Sequence, residues 1–122
     1  VVPAGAAVVG VLLAAGAGRR AGGPKALRHD PDGQSWLLRS LDALTAGGCD
    51  EVVVVVGAHA AEVRRLLAAG HGSPPVGCRV VEATDWADGI GASLRAGLGV
   101  ALTMRPAVVV VHLVDLPDVG PA

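Results

Sequence analysis

Four short aliphatic runs, at residues 7–14, 51–56, 78–82 and 107–114, constrain the fold of this 122-residue chain more than any other feature. Each has the length of one strand. Their valines follow one another without the apolar–polar alternation of a half-exposed strand. Continuous apolar strands suit a sheet covered on both faces, as parallel sheets are. Three helical patterns lie between the runs. In 35–46, Leu37, Leu38, Leu41 and Leu44 share a face, and Gly47-Gly48 ends the run. In 60–69, Val63, Leu66 and Leu67 form one face, with Gly70 as C-cap. In 90–103, Leu94, Leu98, Ala101 and Leu102 form another, and Pro106 blocks continuation. Strand–helix alternation predicts an α/β fold in three α/β/α layers: a mainly parallel sheet, helices on both faces and right-handed crossovers. The length fits a single domain over 1–122.

Composition excludes several functions. Hydrophobic residues make up 52% and charged residues 17%, which argues against disorder. Phe and Tyr are absent, so the chain lacks the aromatic platforms on which single-stranded nucleic acid stacks. A net charge of −1 gives no pull toward nucleic acid or an anionic membrane. Residues 1–18 carry no charged side chain, which raises a short membrane span or a signal core. Pro3, Gly5, Gly10, Gly16 and Gly18, without a basic leader, favour a buried strand over 7–13 instead. Cys49 and Cys78 make no CxxC and suit a reducing compartment, so a cytoplasmic location is expected. His29, His59, His71 and His112 show no metal-ligand spacing. No serine sits in a nucleophile elbow and no Cys–His pair stands out, so nothing points to a covalent intermediate.

The first run opens into Leu13-Ala14-Ala15-Gly16-Ala17-Gly18-Arg19-Arg20-Ala21-Gly22-Gly23-Pro24-Lys25. Small residues let backbone N–H groups approach an anion, and the cations complete its neutralisation. Lys25 is the one lysine among ten Lys and Arg residues, which suits a place that needs a flexible point charge rather than a guanidinium fork. The dinucleotide fingerprint GxGxxG/A is formally met by Gly16, Gly18 and Ala21. That site also needs a helix starting by about Ala21 and an acid at the end of the second strand. Gly22, Gly23 and Pro24 disfavour the helix, and Val56-Gly57 offers no acid. The Walker pattern fails because Pro24 intrudes before Lys25 and Ala26 replaces the hydroxyl. Three alternatives stay open at this point: an NADP-linked oxidoreductase domain, a noncatalytic nucleotide-binding module, and a tight glycine turn with incidental basic residues. Gly57, just past the second strand, either lets a base approach closely or makes a simple turn.

A long nonhelical loop ending in Pro-Lys resembles the signature of the MobA-like NTP transferases, LAAGxGxR-x-GxPK. Leu13, Ala14, Ala15, Gly16, Gly18, Arg20, Gly22, Pro24 and Lys25 match it. The stretch from Trp86 to Leu98 resembles the W-x-x-G-x-x-x-S-L-x-x-G-L pattern of molybdenum cofactor cytidylyltransferases, through Trp86, Gly89, Ser93, Leu94, Gly97 and Leu98. Ala83 stands where Asn is common in that family. The last run ends in Asp115-Leu116-Pro117, similar to the family's D-x-P motif. The resemblance implies a Rossmann-like fold of the nucleotide-diphospho-sugar transferase type. It implies nucleotide binding through Leu13, Ala14, Ala15, Gly16, Gly18, Gly89 and Ser93, with Arg20 and Lys25 on the phosphates and Asp115 on Mg²⁺. The implied reaction moves a nucleoside monophosphate, CMP from CTP, to a phosphorylated acceptor such as molybdopterin cofactor. Members of the family are longer, and this chain has no initiator Met. The expectation is therefore a nucleotide-binding part, with the C-terminal acceptor part absent.

Overall fold

The computed structural model describes residues 7–16, 33, 35–68 and 77–114. In chain order these form β1 (Val8–Ala14), α1 (Trp36–Ala46), β2 (Glu51–Val56), α2 (Ala60–Ala68), β3 (Cys78–Glu82), α3 (Ile90–Thr103) and β4 (Val108–Leu113). A single 3-10 turn, Trp86–Asp88, leads into α3. The strands make one all-parallel sheet in the order β3-β2-β1-β4. Among the described residues, no helix is long and apolar enough to cross a membrane.

Side-chain alternation along the strands divides the core into two layers. Leu12 and Ala14 of β1, with Val52, Val54 and Val56 of β2, face one side and pack with Leu37, Leu41 and Leu44 of α1 and Val63 and Leu67 of α2. Val9, Val11 and Leu13, with Val53 and Val55, face the other side, where Leu94, Leu98 and Ala101 of α3 cover them. The fold is thus α/β in three layers, as the alternation of apolar runs and helical patterns predicts. Ser35 caps α1: its Oγ accepts the Leu38 N–H at 3.3 Å, a bond type worth about 1 kcal/mol. Gly47 and Gly48 end that helix, Gly48 with φ at +107°. The expected C-cap at Gly70 lies outside the described residues.

Two expectations need correction. Among the described residues β4 is not covered on both faces, for Val108, Val110 and Val111 are exposed. Apolar runs alone do not distinguish a central strand from an edge strand, and among the described strands only β1 and β2 have neighbours on both sides. In α3 the residues pressed onto the sheet are Ala92, Ser93, Gly97 and Ala101, while Leu102 is 62% exposed. A Cβ on Gly97 would lie 2.6 Å from Val11 Cγ1 and 2.7 Å from Val55 Cγ2. The helix axis comes so close that only small residues fit on the contact line, and Leu94 and Leu98 flank it. Cys49 and Cys78 are free, half-buried thiols. Burial pushes both thiol pKa values up, and the nearby Asp50 carboxylate adds to this at Cys49. Both therefore stay protonated, and poor nucleophiles, at neutral pH.

Candidate functional site

In a parallel sheet all strands end at one edge, so the segments following β1, β2, β3 and β4 share a rim. Three backbone hydrogen bonds tie those segments together. The Ala83 N–H donates to the Val56 carbonyl at 2.7 Å, the Ala58 N–H to the Ala15 carbonyl at 3.0 Å, and the Val114 N–H to the Leu13 carbonyl at 3.3 Å. The strand order reverses between β1 and β4, because β2 and β3 lie on one side of β1 and β4 on the other. Open parallel sheets bind ligands in the crevice beyond the carboxyl ends at such a switch point.

Leu13, Ala14 and Ala15 are buried, with their side chains in the core. Gly16 is exposed, and among the described residues a Cβ there would meet nothing within 4 Å. Gly57 stands beside it, but its open side is already filled. A Cβ on Gly57 would lie 2.7 Å from Trp86 Cβ, 2.8 Å from Trp86 Cγ and 3.0 Å from Ala15 Cβ. The close approach that glycine permits there is made by Trp86. Trp86 also joins the core layer under α3, so its ring links the β1 loop, the β2 end and the 3-10 turn. Ala83 is buried.

Gly89 joins the 3-10 turn to α3 with φ at +111° and ψ at −179°, a conformation open essentially to glycine alone. It is exposed, with no atom near its missing Cβ. Ser93, four residues on, is buried in the first turn of α3. Helices α2 and α3 begin at this rim, and their N-terminal N–H groups favour an anion nearby. Gly18, Arg20, Lys25 and Asp115 lie outside the described residues. In the chain, Asp115 directly follows Val114, whose N–H is bonded to β1 at the switch point. Among the described residues no group of three His, Cys, Asp or Glu could hold a metal ion.

One feature of the rim is absent from the sequence-based reading. His59 has φ at +61°, and its Nδ1 lies 3.1 Å from Glu62 Oε1. Scattered histidines drew attention only as possible metal ligands. The usable signal was position: His59 comes three residues after the end of β2, with an acid three residues further on.

Comparison with known proteins agrees with this geometry. A curated relative, nicotine blue oxidoreductase of Paenarthrobacter nicotinovorans, is 42% identical over 114 residues, which cover 93% of this chain and 52% of the relative. Rv0371c of Mycobacterium tuberculosis H37Rv superposes with a TM-score of 0.70 at 32% identity, over 95% of this chain and 55% of that one. Rv0371c has also been solved in complex with manganese. A nucleotidyl transferase from Methanothermobacter thermautotroptrophicus superposes with a TM-score of 0.75 at 28% identity, over 96% of this chain and 54% of that one. The chain thus spans about half the length of the relatives it matches. Residues 10–122 match the MobA-like NTP transferase domain, and with the matching fold this places the chain in that family.

Proposed function

We propose that this chain is the nucleotide-binding part of a nucleotidyltransferase that passes CMP from CTP to a phosphorylated acceptor such as molybdopterin cofactor. The observation that carries this reading is convergence. Ala15–Gly16, Trp86–Gly89 and Val114 belong to three separately matching segments, and they meet on one rim at the switch point of the sheet. In this reading the backbone of 13–18 binds the nucleotide, and Arg20 and Lys25 neutralise its phosphates and the departing pyrophosphate. The turn from Gly89 to Ser93 serves the base and ribose side through its backbone, because the Ser93 side chain is buried. Gly57 acts indirectly, by seating Trp86 against the loop. The acceptor oxygen attacks the α-phosphorus, the bond to the β-phosphate oxygen breaks, and pyrophosphate leaves. The protein's share of the work is to hold the triphosphate still and in line.

On this reading a hard divalent cation takes one carboxylate from the chain and oxygens from phosphate and water. Asp115 supplies that carboxylate, since it follows Val114 at the β1–β4 junction. The manganese complex of Rv0371c supports a divalent metal in this family, and Mg²⁺ is the one we assign here. When bound, it neutralises charge on the phosphate oxygens. The Leu-Ala-Ala-Gly loop and the stretch from Trp86 to Leu98 support CTP over GTP.

A second reading has one specific observation behind it: the relative at 42% identity is named an oxidoreductase. On that reading the same rim holds a nicotinamide dinucleotide. A thermal-shift titration with CTP, GTP, ATP, UTP and NADPH, each with and without Mg²⁺, separates the two. A Mg²⁺-dependent shift selective for CTP is expected, and a ligand at a hundredfold its Kd adds about 2.7 kcal/mol of stability. Lys25→Ala should abolish most of that shift. A shift with NADPH alone, independent of Mg²⁺, would move the assignment to the oxidoreductase reading.

A further inference from the structure

We propose that His59, backed by Glu62, contacts the sugar hydroxyls of the nucleotide held at this rim. This rests on the reading that the chain binds a nucleotide, whether a triphosphate or a dinucleotide. His59 lies just past β2 and next to Ala58, whose N–H is bonded to the Ala15 carbonyl of the first loop. In dinucleotide-binding parallel sheets, a group near the end of the second strand meets the ribose hydroxyls, and a carboxylate commonly fills that place. Here Val56-Gly57 offers none, and the nearby acid, Glu62, stands behind an imidazole.

The backbone at 59 carries a side chain in a conformation that glycine adopts more freely. Its φ of +61° is in the left-handed region, which favours glycine. Four described glycines, Gly33, Gly48, Gly77 and Gly89, occupy positive φ, and among the described residues only His59 and Arg105 do so with a side chain. The chemistry of the pair then defines what His59 can bind. A carboxylate accepts hydrogen bonds and donates none, so in the contact of 3.1 Å Nδ1 is the donor. Nε2 takes no part in that contact, and the side chain is 41% exposed. A hydroxyl both donates and accepts, so it pairs with Nε2 whether or not that nitrogen carries a proton, and the ribose is the part of a nucleotide that offers hydroxyls. Helix capping does not require the ring. The Val63 N–H is accepted by the His59 backbone carbonyl at 3.0 Å, and any residue supplies that group.

The test compares wild type with His59→Gly and His59→Asn, titrated with CTP, 2′-deoxy-CTP and NADH, and followed by thermal unfolding. Glycine relaxes the backbone and removes the ring, while asparagine tolerates the left-handed conformation and keeps an acceptor. Wild type should prefer the ribonucleotide over its 2′-deoxy form by about three- to tenfold, the worth of one hydrogen bond. His59→Gly should lose that preference with an unfolding temperature equal to or above wild type, and His59→Asn should keep part of it. If the wild type binds NADH in place of CTP, the loss is read as a similar drop in NADH affinity for His59→Gly. A His59→Gly protein that binds nucleotide with the wild-type sugar preference overturns the proposal and leaves the nucleotide site standing. So does one that only unfolds at lower temperature, which would make His59 a helix cap. A wild type that binds none of CTP, GTP, ATP, UTP, NADH and NADPH overturns both.

Discussion

Two glycines of the rim separate a demand of the fold from a demand of the ligand. At Gly57 the space of a methyl group is already occupied by Trp86 and by Ala15. Gly57→Ala should therefore cost about 1–3 kcal/mol, as overpacking does, and should displace Trp86. Urea denaturation reads the first effect and tryptophan emission the second. Gly16 is the opposite case, for no described residue lies within 4 Å of where its Cβ would be. Gly16→Ala should keep wild-type stability to within about 0.5 kcal/mol. On the proposed reading its effect falls on nucleotide affinity, because that reading brings the nucleotide against the backbone of 13–18. A Gly16→Ala protein that binds CTP as wild type does would remove the first loop from the site.

The decisive element is α3. Its N-terminus starts at the rim after Gly89, and its middle presses on β1 and β2 through Gly97. The side chains opposite Gly97 belong to Val11 and Val55, both fully buried and β-branched, so neither can rotate away freely. Gly97→Ala should lift the helix from the sheet and lower stability by about 1–3 kcal/mol, despite the better helix propensity of alanine. The urea midpoint checks the sign: a rise would show that the sheet yields more readily than the close contacts imply. The same contact connects packing to function, because a lifted α3 also moves the Gly89 turn. The sequence pattern placed this helix to the residue and put Leu94, Leu98 and Ala101 on the sheet side, but it also put Leu102 there, which is exposed, and it left out the small residues Ala92, Ser93 and Gly97 on the contact line. Helical spacing records which residues share a side, whereas the distance to the sheet decides how large they may be.

At the scale of the whole molecule, β4 is an outer strand of the sheet among the described residues, with Val108, Val110 and Val111 exposed. An apolar edge strand is a template for pairing with another chain. Val111→Lys should leave stability within about 0.5 kcal/mol and reduce self-association, as measured by light scattering against protein concentration. A stability loss of several kcal/mol would show instead that Val111 is packed.

Sequence alone determined the number, kind and order of the described elements. Runs of valine and leucine spacing are local signals, read over a handful of residues, and the strands and helices fall where those signals put them. The turn around Gly89 was legible for the same reason, since it is a contiguous pattern. Tertiary structure decided the rest. The β3-β2-β1-β4 order brings Ala15, Gly57, Trp86 and Val114 to one rim, although they lie up to about a hundred residues apart in the chain. The filling of Gly57 by Trp86, the exposure of β4 and the pairing of His59 with Glu62 follow from that assembly. Burial and approach distance belong to pairs of elements, so no single stretch of sequence carries them.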